Sequence, residues 1–204
     1  YYNEDGTLKT GNMERFTAGV NLNPRLFDNH LKVDFSFKGS YINNRFAYTD
    51  AIKAGLAFDP TKPVMADGFD NYRGYYTWLL PDGSLNSLAY SNPMMMLNEY
   101  DNSSKVRRMI VSGQIDYRMH FLPELRTNLN LAYDYSRGRG GVYYSDWVPF
   151  GVSRKGKNQD YGSNKTNKLF EFYLNYNKNF AAIKSNLDIT AGHTYQDWLT
   201  HSIN

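Results

Sequence analysis

The chain has 204 residues, no cysteine and a formal net charge of +3, with its 23 basic side chains scattered along the sequence. These values exclude a disulfide framework and a thiolate zinc site, and they argue against a dedicated nucleic-acid surface, which would concentrate basic residues in one patch. Aromatic residues make up 16% of a chain that is only 41% hydrophobic, so disorder is a poor interpretation and the fold must separate apolar from polar side chains.

Six segments alternate apolar and polar residues with the period of two that is typical of a strand with one apolar face. In chain order the predicted strands cover about 13–22, 31–48, 106–121, 125–137, 168–180 and 185–197. The second is the clearest, because Val33, Phe35 and Phe37 alternate with charged and hydroxyl side chains. No comparable stretch has the 3.6-residue period of a helix, and no apolar run reaches the length of about 18 residues that a membrane helix needs. The fold class is therefore predicted to be all-β.

Short and long connections alternate between these segments. Short turns such as 23–29 and 122–124 join the strands in pairs, whereas long loops are predicted at 49–105 and 138–167. This rhythm is typical of an outer-membrane barrel, whose periplasmic turns are short and whose extracellular loops are long. Strands of roughly 10 to 14 residues also suit a tilted membrane span better than a globular sheet. The sequence thus predicts an antiparallel transmembrane β-barrel segment with two long extracellular loops.

A soluble β-sandwich that binds carbohydrate is the alternative, because two stacked sheets would bury the same apolar faces. Tyr and Phe gather near the ends of the predicted strands, as at Tyr41, Phe46, Tyr133 and Tyr135. Membrane barrels place aromatic girdles at both interfaces with water, so this clustering favours the barrel. The two interpretations differ in one physical respect, which is whether the apolar face meets lipid or a second sheet.

Residues 92–141 carry a further pattern. An Asn-Pro pair, an apolar run and an acidic cluster precede the third predicted strand, and the segments GQIDY, LPELR, NLNLAYDYS and RGRGG follow in order. This pattern resembles the SusC/RagA family of TonB-dependent transporters, and the hairpin at 16–41 is similar to an earlier part of the same barrel. The resemblance implies a barrel of about 22 strands with an N-terminal plug, and the chain is expected to be an internal piece of that barrel.

The resemblance also implies a function, a place in the cell outer membrane and a set of partners. Members of this Bacteroidetes-type family import nutrients, either oligosaccharides or peptides, and are not enzymes. The implied partners are a SusD-like surface lipoprotein, the TonB complex through an N-terminal part outside this chain, and outer-membrane lipids. No cofactor, metal site or nucleic-acid partner is expected, and the choice between glycan and peptide stays open.

Loop aromatics are the candidate contact residues. They are Tyr75, Tyr76 and Trp78 in the first long loop, and Tyr143, Tyr144 and Trp147 in the second. Exposed aromatic rings stack on sugars and anchor protein interfaces, so these residues are expected to meet the substrate or the lipoprotein. The open alternative is that they form the internal cores of folded loops. The glycines of RGRGG are expected to give a flexible exit from the barrel, with positive φ.

Overall fold

Eight strands form one antiparallel sheet in the computed structural model, which describes residues 1–152 and 155–203. The strands are β1 Tyr2–Asp5, β2 Asn12–Leu22, β3 Arg25–Leu26, β4 Leu31–Arg45, β5 Asp101–Arg118, β6 Leu125–Tyr144, β7 Lys157–Phe180 and β8 Ser185–Ile203. Their order across the sheet is β1-β2-β4-β5-β6-β7-β8, and the short β3 pairs with the start of β4. Strands that follow one another in the chain are thus neighbours in space, as in an up-and-down barrel. The all-β, antiparallel prediction is confirmed.

The register places apolar and polar side chains on opposite faces across the whole sheet. One row of paired residues reads Leu22, Phe35, Gly113, Leu131, Phe170 and Tyr195. The adjacent row, one residue along each strand, reads Asp34, Gln114, Asn130, Glu171 and Thr194. Successive side chains of a strand point to opposite faces, so the sheet has an apolar face, to which Leu131 belongs, and a polar face, to which Asn130 belongs.

The apolar face is open rather than packed. Phe35 and Phe37 are each 36% exposed and Leu131 is 46% exposed, although they lie in the middle of the sheet. The buried hydrophobic residues of the described chain all lie outside this face, in the loops and at the end of β6. A sandwich would cover the apolar face with a second sheet, and residues 1–152 and 155–203 form only one sheet. The face is therefore available to lipid.

The height of the apolar face matches a bilayer. On β6 its apolar side chains run from Leu125 to Tyr135, and Arg137 and Arg139 follow on the same face. That length of strand is about 34 Å and, at a tilt of roughly 45°, spans about 24 Å of membrane, close to the apolar band of an outer-membrane barrel. At the other end of the strands Tyr117 and Tyr176 lie on the same face near the short turns. Aromatic residues thus border the apolar stretch of the strands at both ends.

Two short helices lie in the first long loop. They are α1 Asp50–Ala57 and α2 Pro93–Asn98, and single 3-10 turns occur at Asp70–Tyr72 and Ala181–Ile183. Among the residues that the structure describes, no helix has both the length and the apolar character needed to cross a bilayer. The sequence did not predict either helix, because elements of two turns or fewer are too short to show a 3.6-residue period.

Several strands extend further than the sequence predicted. β5 begins at Asp101 rather than at 106, β6 ends at Tyr144 rather than at 137, and β7 begins at Lys157 rather than at 168. The second long loop, predicted at 138–167, is therefore mainly a continuation of the β6–β7 hairpin. Both faces of that hairpin are wet above the membrane, so its residues need not alternate and carry no period-two signal.

The remaining differences are at strand ends. β4 ends at Arg45, three residues before its predicted end, β5 ends at Arg118 rather than at 121, and β8 continues to Ile203. β1 and β3 were not predicted, because they are short and polar or interrupted by a turn. Boundaries of this kind depend on pairing partners, which a single strand does not reveal.

The glycines of RGRGG lie inside β6, and the prediction of a flexible exit with positive φ is wrong. The positive-φ glycines of the described chain are found elsewhere, at positions 68, 74, 83 and 156. Gly140 instead makes room for a neighbour. The ring of Tyr161, its cross-strand partner, passes over it, and the Tyr161 hydroxyl donates to Asn102 Oδ1 at 2.8 Å. A Cβ on residue 140 would lie 2.5 Å from the Ser103 carbonyl oxygen and 2.6 Å from Tyr161 Cζ.

We expect Gly140→Ala to destabilise the barrel by about 1–3 kcal/mol, because the added methyl group must displace backbone as well as the Tyr161 ring. The matched control is Gly113→Ala on β5, where a Cβ would meet nothing within 4 Å. Heating the full-length protein in detergent, and following loss of the folded band on gels, measures the difference. Equal melting temperatures for the two variants would contradict this account of Gly140.

Candidate functional site

The two long loops pack together at one end of the sheet. One hydrophobic cluster joins Ala51 and Ala54 of α1 to Met96 and Leu97 of α2. A second cluster brings together Tyr75, Met95, Tyr144 and Val148, and Met95 and Val148 have no exposed surface. Because α2 contributes to both clusters, it joins the first loop to the β6–β7 hairpin. The loops therefore form a folded platform at the mouth of the barrel segment.

Asn92 fixes the start of α2 and the chain segments beside it. Its side-chain oxygen accepts hydrogen bonds from the backbone N–H groups of Met94, at 3.0 Å, and Met95, at 3.4 Å. Its amide nitrogen donates to the carbonyl oxygens of Val64, at 2.8 Å, and Tyr76, at 3.3 Å. Asn is a preferred N-cap and proline, here Pro93, is preferred in the first helical turn. The Asn-Pro pair is therefore a structural joint, since Asn92 is only 2% exposed.

A partly exposed group of aromatic rings lies on this platform. We call it the Tyr76–Trp78 cluster, and it consists of Phe58, Lys62, Phe69, Tyr76 and Trp78. The Tyr76 and Trp78 rings meet edge to face with their centroids 5.3 Å apart. Lys62 Nζ lies 5.6 Å from the Trp78 ring and 5.8 Å from the Tyr76 ring, a cation–π arrangement. Partly exposed rings with a cation beside them can bind a flat or polar partner.

The turn that presents Lys62 is held by Asp59. Its carboxylate accepts the backbone N–H of Thr61 at 2.9 Å and the Thr61 hydroxyl at 2.7 Å. These two hydrogen bonds favour the ionised carboxyl and hold the pKa of Asp59 below its ordinary value. Deeper in the platform, burial raises the pKa of the Tyr48 hydroxyl, with Asp50 adding to the effect. The site thus carries an ionised Asp59 and a neutral Tyr48 at neutral pH.

The six predicted contact residues do not form one site. Tyr75 is 8% exposed and Tyr144 is 7% exposed, so both belong to the loop core, as the alternative interpretation of these aromatics expected. Tyr143 is 55% exposed but points to the apolar face of the sheet, above the membrane. Tyr75 and Tyr144 meet in the buried second cluster, with Trp147 packed against it, whereas Tyr76 and Trp78 meet where their rings stay partly exposed. The sequence did not identify Phe58, Lys62 and Phe69, the neighbours of Tyr76 and Trp78.

Trp147 packs against the second hydrophobic cluster and also contacts Arg73 of the first loop. The guanidinium carbon of Arg73 lies 4.8 Å from its ring centroid, and Arg73 Nη1 is 3.0 Å from Glu99 Oε2 just after α2. Arg73 has a left-handed backbone conformation, with φ of 53°. No sequence spacing indicates that Arg73, Glu99 and Trp147 meet, since the three residues are far apart along the chain.

The polar face below the platform carries an ion pair and hydrogen bonds between strands. Arg108 Nη2 is 2.6 Å from Asp134 Oδ2, and its Nε is 3.0 Å from the other carboxylate oxygen. Asn130 Nδ2 donates to Glu171 Oε2 at 3.1 Å. Within the described ranges no group of three or more His, Cys, Asp or Glu side chains is placed to hold a metal ion.

Comparison with known proteins gives one strong match in sequence. The chain is 32% identical, over 94% of its length, to the TonB-dependent receptor SusC of Bacteroides thetaiotaomicron. It spans 20% of the length of that relative. No protein-family model matches the chain.

Solved structures match in fold. The RagAB peptide transporter aligns with 98% of the chain, and with 23% of its own matched chain, at a TM-score of 0.68 and 16% identity. The RagAB peptide importer in its closed-closed state aligns with 94% of the chain, and with 21% of its own, at a TM-score of 0.60 and 16% identity. At this identity the likeness concerns the fold alone, and it identifies the single open sheet as part of a larger barrel.

Proposed function

Because this chain is a SusC/RagA-like segment of a TonB-dependent transporter barrel in the outer membrane, we propose that the whole receptor imports a nutrient. In this proposal a SusD-like lipoprotein caps the mouth and the TonB complex drives entry. The observation that carries it is 32% identity to SusC over 94% of the chain. The open apolar face supports it, because that face has the height of a bilayer.

The transport mechanism requires no covalent change in the nutrient. The polar face, with Arg108, Asp134, Asn130 and Glu171 bonded between strands, supplies one wall of a water-filled passage. Polar walls of this kind line the interior of outer-membrane barrels, while the opposite faces of the same strands meet lipid. The nutrient is an oligosaccharide or a peptide, and the proposal assigns no catalytic residue or cofactor to this chain.

The transport proposal is tested in cells that express the full-length receptor. We expect the receptor in the outer-membrane fraction, its lipoprotein to co-purify, and growth on the nutrient to stop when TonB function is lost. Supplying oligosaccharides or peptides as the sole nutrient separates the two substrate classes. Recovery of the receptor as a water-soluble monomer that melts cooperatively would instead support the carbohydrate-binding module.

We also propose that the Tyr76–Trp78 cluster contacts the nutrient or the lipoprotein at the mouth. The cluster lies on the folded platform above the polar face, and its rings keep exposed surface next to the cation of Lys62. Aromatic rings dominate interface energetics because they bury a large area with little loss of side-chain freedom. Tyr143 and Trp147 stay candidates for weaker contacts, since both retain exposed surface.

Trp78→Ala is expected to weaken nutrient or lipoprotein binding by about tenfold or more, the usual effect of truncating an anchoring aromatic residue. Tyr90→Ala is the matched control, because Tyr90 is also an exposed aromatic of this loop, at 45%, and lies outside the cluster. Loss of lipoprotein co-purification identifies the partner, whereas loss of uptake with the lipoprotein still bound identifies the nutrient. Equal effects of the two variants would remove the cluster from the proposal.

A further inference from the structure

A block of four cations lies on the apolar face just beyond the row of Met109 and Tyr135. We call it the basic rim, and it consists of Lys105 and Arg107 on β5 and Arg137 and Arg139 on β6. Arg107 lies opposite Arg137, and Lys105 lies opposite Arg139. On the other side Arg107 faces Tyr41, whose ring centroid is 5.9 Å from the guanidinium carbon. Tyr41 lies in the same row as Arg107 and Arg137 and is the last aromatic residue of the apolar face on β4. The rim therefore begins where the hydrocarbon ends.

The charges of the rim are not neutralised within the described chain. Residues 1–152 and 155–203 supply no carboxylate within ion-pair distance of any of the four. The nearest acidic residues of the same face lie beyond ion-pair distance: Glu14 is across β4 from Lys105, Asp101 is four residues before Lys105 on β5, and Asp160 is opposite Gly141. Like charges directly opposite each other destabilise a strand pair. Two such pairs lie side by side, so an anion bound from outside the chain would relieve their repulsion and stabilise the strand pair.

Arg108, the residue after Arg107, differs from the rim residues in having a carboxylate partner. Arg108 follows Arg107 in the sequence but points to the polar face, where it forms a two-point ion pair with Asp134, with distances of 2.6 and 3.0 Å. Arg139 lacks such a partner: its Nη1 donates only to neutral oxygens, the Gly138 carbonyl at 2.8 Å and Asn164 Oδ1 at 3.0 Å. Arg108 is thus neutralised on the polar face, whereas Arg107, the next residue on the opposite face, has no carboxylate partner among the described residues.

From its height and charge, we propose that the basic rim binds the phosphate groups of outer-leaflet lipid. Its two rows lie about 5 and 10 Å above the last apolar row, given the rise and tilt of barrel strands. That height is the headgroup level, where basic side chains attract anionic lipid. Guanidinium groups bind phosphate oxygens in pairs. The lateral position of the rim, on the outside of the barrel wall, selects a lipid rather than the nutrient.

The experiment compares lipid binding by the purified full-length receptor and its Arg107→Gln/Arg137→Gln variant. The probes are diphosphoryl lipid A and the same lipid with its phosphates removed, presented in zwitterionic detergent micelles. We expect the variant to bind the phosphorylated lipid about 10- to 30-fold more weakly, since each of the two basic groups near an anionic surface contributes about three- to fivefold and the two factors multiply. Binding of the dephosphorylated lipid should not change. The variant should fold normally, because it removes a like-charge pair.

The matched control is Lys38→Gln/Lys165→Gln, which removes the same charge from exposed residues of the polar face. It should bind the phosphorylated lipid as the parent does. Equal weakening in both variants, or no preference for the phosphorylated lipid, would overturn the proposal. Unchanged lipid binding with a change in oligomeric mass would show that the rim is instead an interface between copies. Uptake that persists in the rim variant separates this proposal from the transport proposal.

Discussion

Leu131→Arg is expected to destabilise the barrel by about 2–4 kcal/mol, the cost of an arginine on the lipid face near the bilayer midplane. Leu131 lies halfway along the apolar stretch of β6, between Gly113 on β5 and Phe170 on β7. An arginine there meets no anion, and its side chain must cross about half of the hydrocarbon to reach water. The full-length variant should therefore assemble in lower yield and lose its folded band on gels at a lower temperature.

Asn130→Arg is the control that makes this test decisive. Residue 130 is the preceding residue of the same strand, but it belongs to the polar face, where Asn130 already donates to Glu171. An arginine at that position keeps a carboxylate partner and contact with water, so we expect little change in stability. If Asn130→Arg were the more damaging variant, the assignment of one face to lipid and the other to water would have to be reversed. The transporter interpretation would then fail, because it requires that lipid meets the apolar face.

The membrane-spanning part of the fold was predictable because one physical constraint acts on every residue there. Lipid on one side and water on the other force alternation, so segments such as 31–38 and 128–135 show the period of two with at most one exception, Ala132. The short turns followed from the same pattern. What the sequence did not show is the extension of β6 and β7 beyond the bilayer, where the constraint ends and pairing is set by backbone hydrogen bonds alone.

The glycines of RGRGG are a second case in which the sequence alone did not predict the structure. Gly138, Gly140 and Gly141 suggest flexibility when the sequence is considered alone, because glycine tolerates positive φ. Their role in β6 depends instead on Tyr161 and Ser103, the residues that the register places beside Gly140. Residue type gives the range of backbone conformations, and only the register shows which neighbour uses the space.

The candidate site was predictable only in part because loop packing is not local. Tyr75 and Tyr76 are adjacent and chemically the same, yet Tyr75 is buried against Met95 and Tyr144 while Tyr76 keeps exposed surface. Nothing within either loop distinguishes them, since the burial of Tyr75 depends on a residue from the β6–β7 hairpin. Phe58 and Lys62 were missed for the same reason. The aromatic run includes Tyr76 and Trp78 of the proposed cluster, but it does not show which residues share one surface.

Asn92→Ala is expected to reduce the local stability of the platform by about 2–3 kcal/mol. Loss of the helix cap costs about 1 kcal/mol, and a buried carbonyl left without its donor adds about 1–2 kcal/mol. The carbonyl concerned is that of Tyr76, because the Val64 oxygen still accepts from the Tyr76 N–H at 3.1 Å. The sheet should be unaffected, since Asn92 contacts only loop and helix.

Hydrogen exchange on the full-length receptor measures this change. Protection of peptides from the first loop should fall by about 30- to 100-fold in Asn92→Ala, while peptides from β5 and β6 keep theirs. Asn86→Ala is the control, because the Asn86 side chain accepts a single exposed hydrogen bond, from the Leu88 N–H at 3.1 Å, and the backbone bonds of Asn86 are kept in the variant. Since Asn92 holds the backbone of Tyr76, its loss should also weaken binding at the Tyr76–Trp78 cluster without removing a ring. Weak binding with unchanged hydrogen-exchange protection of the first loop would mean that Asn92 contacts the ligand directly. Its role in holding α2 to the Tyr76 backbone would then not explain the loss of binding.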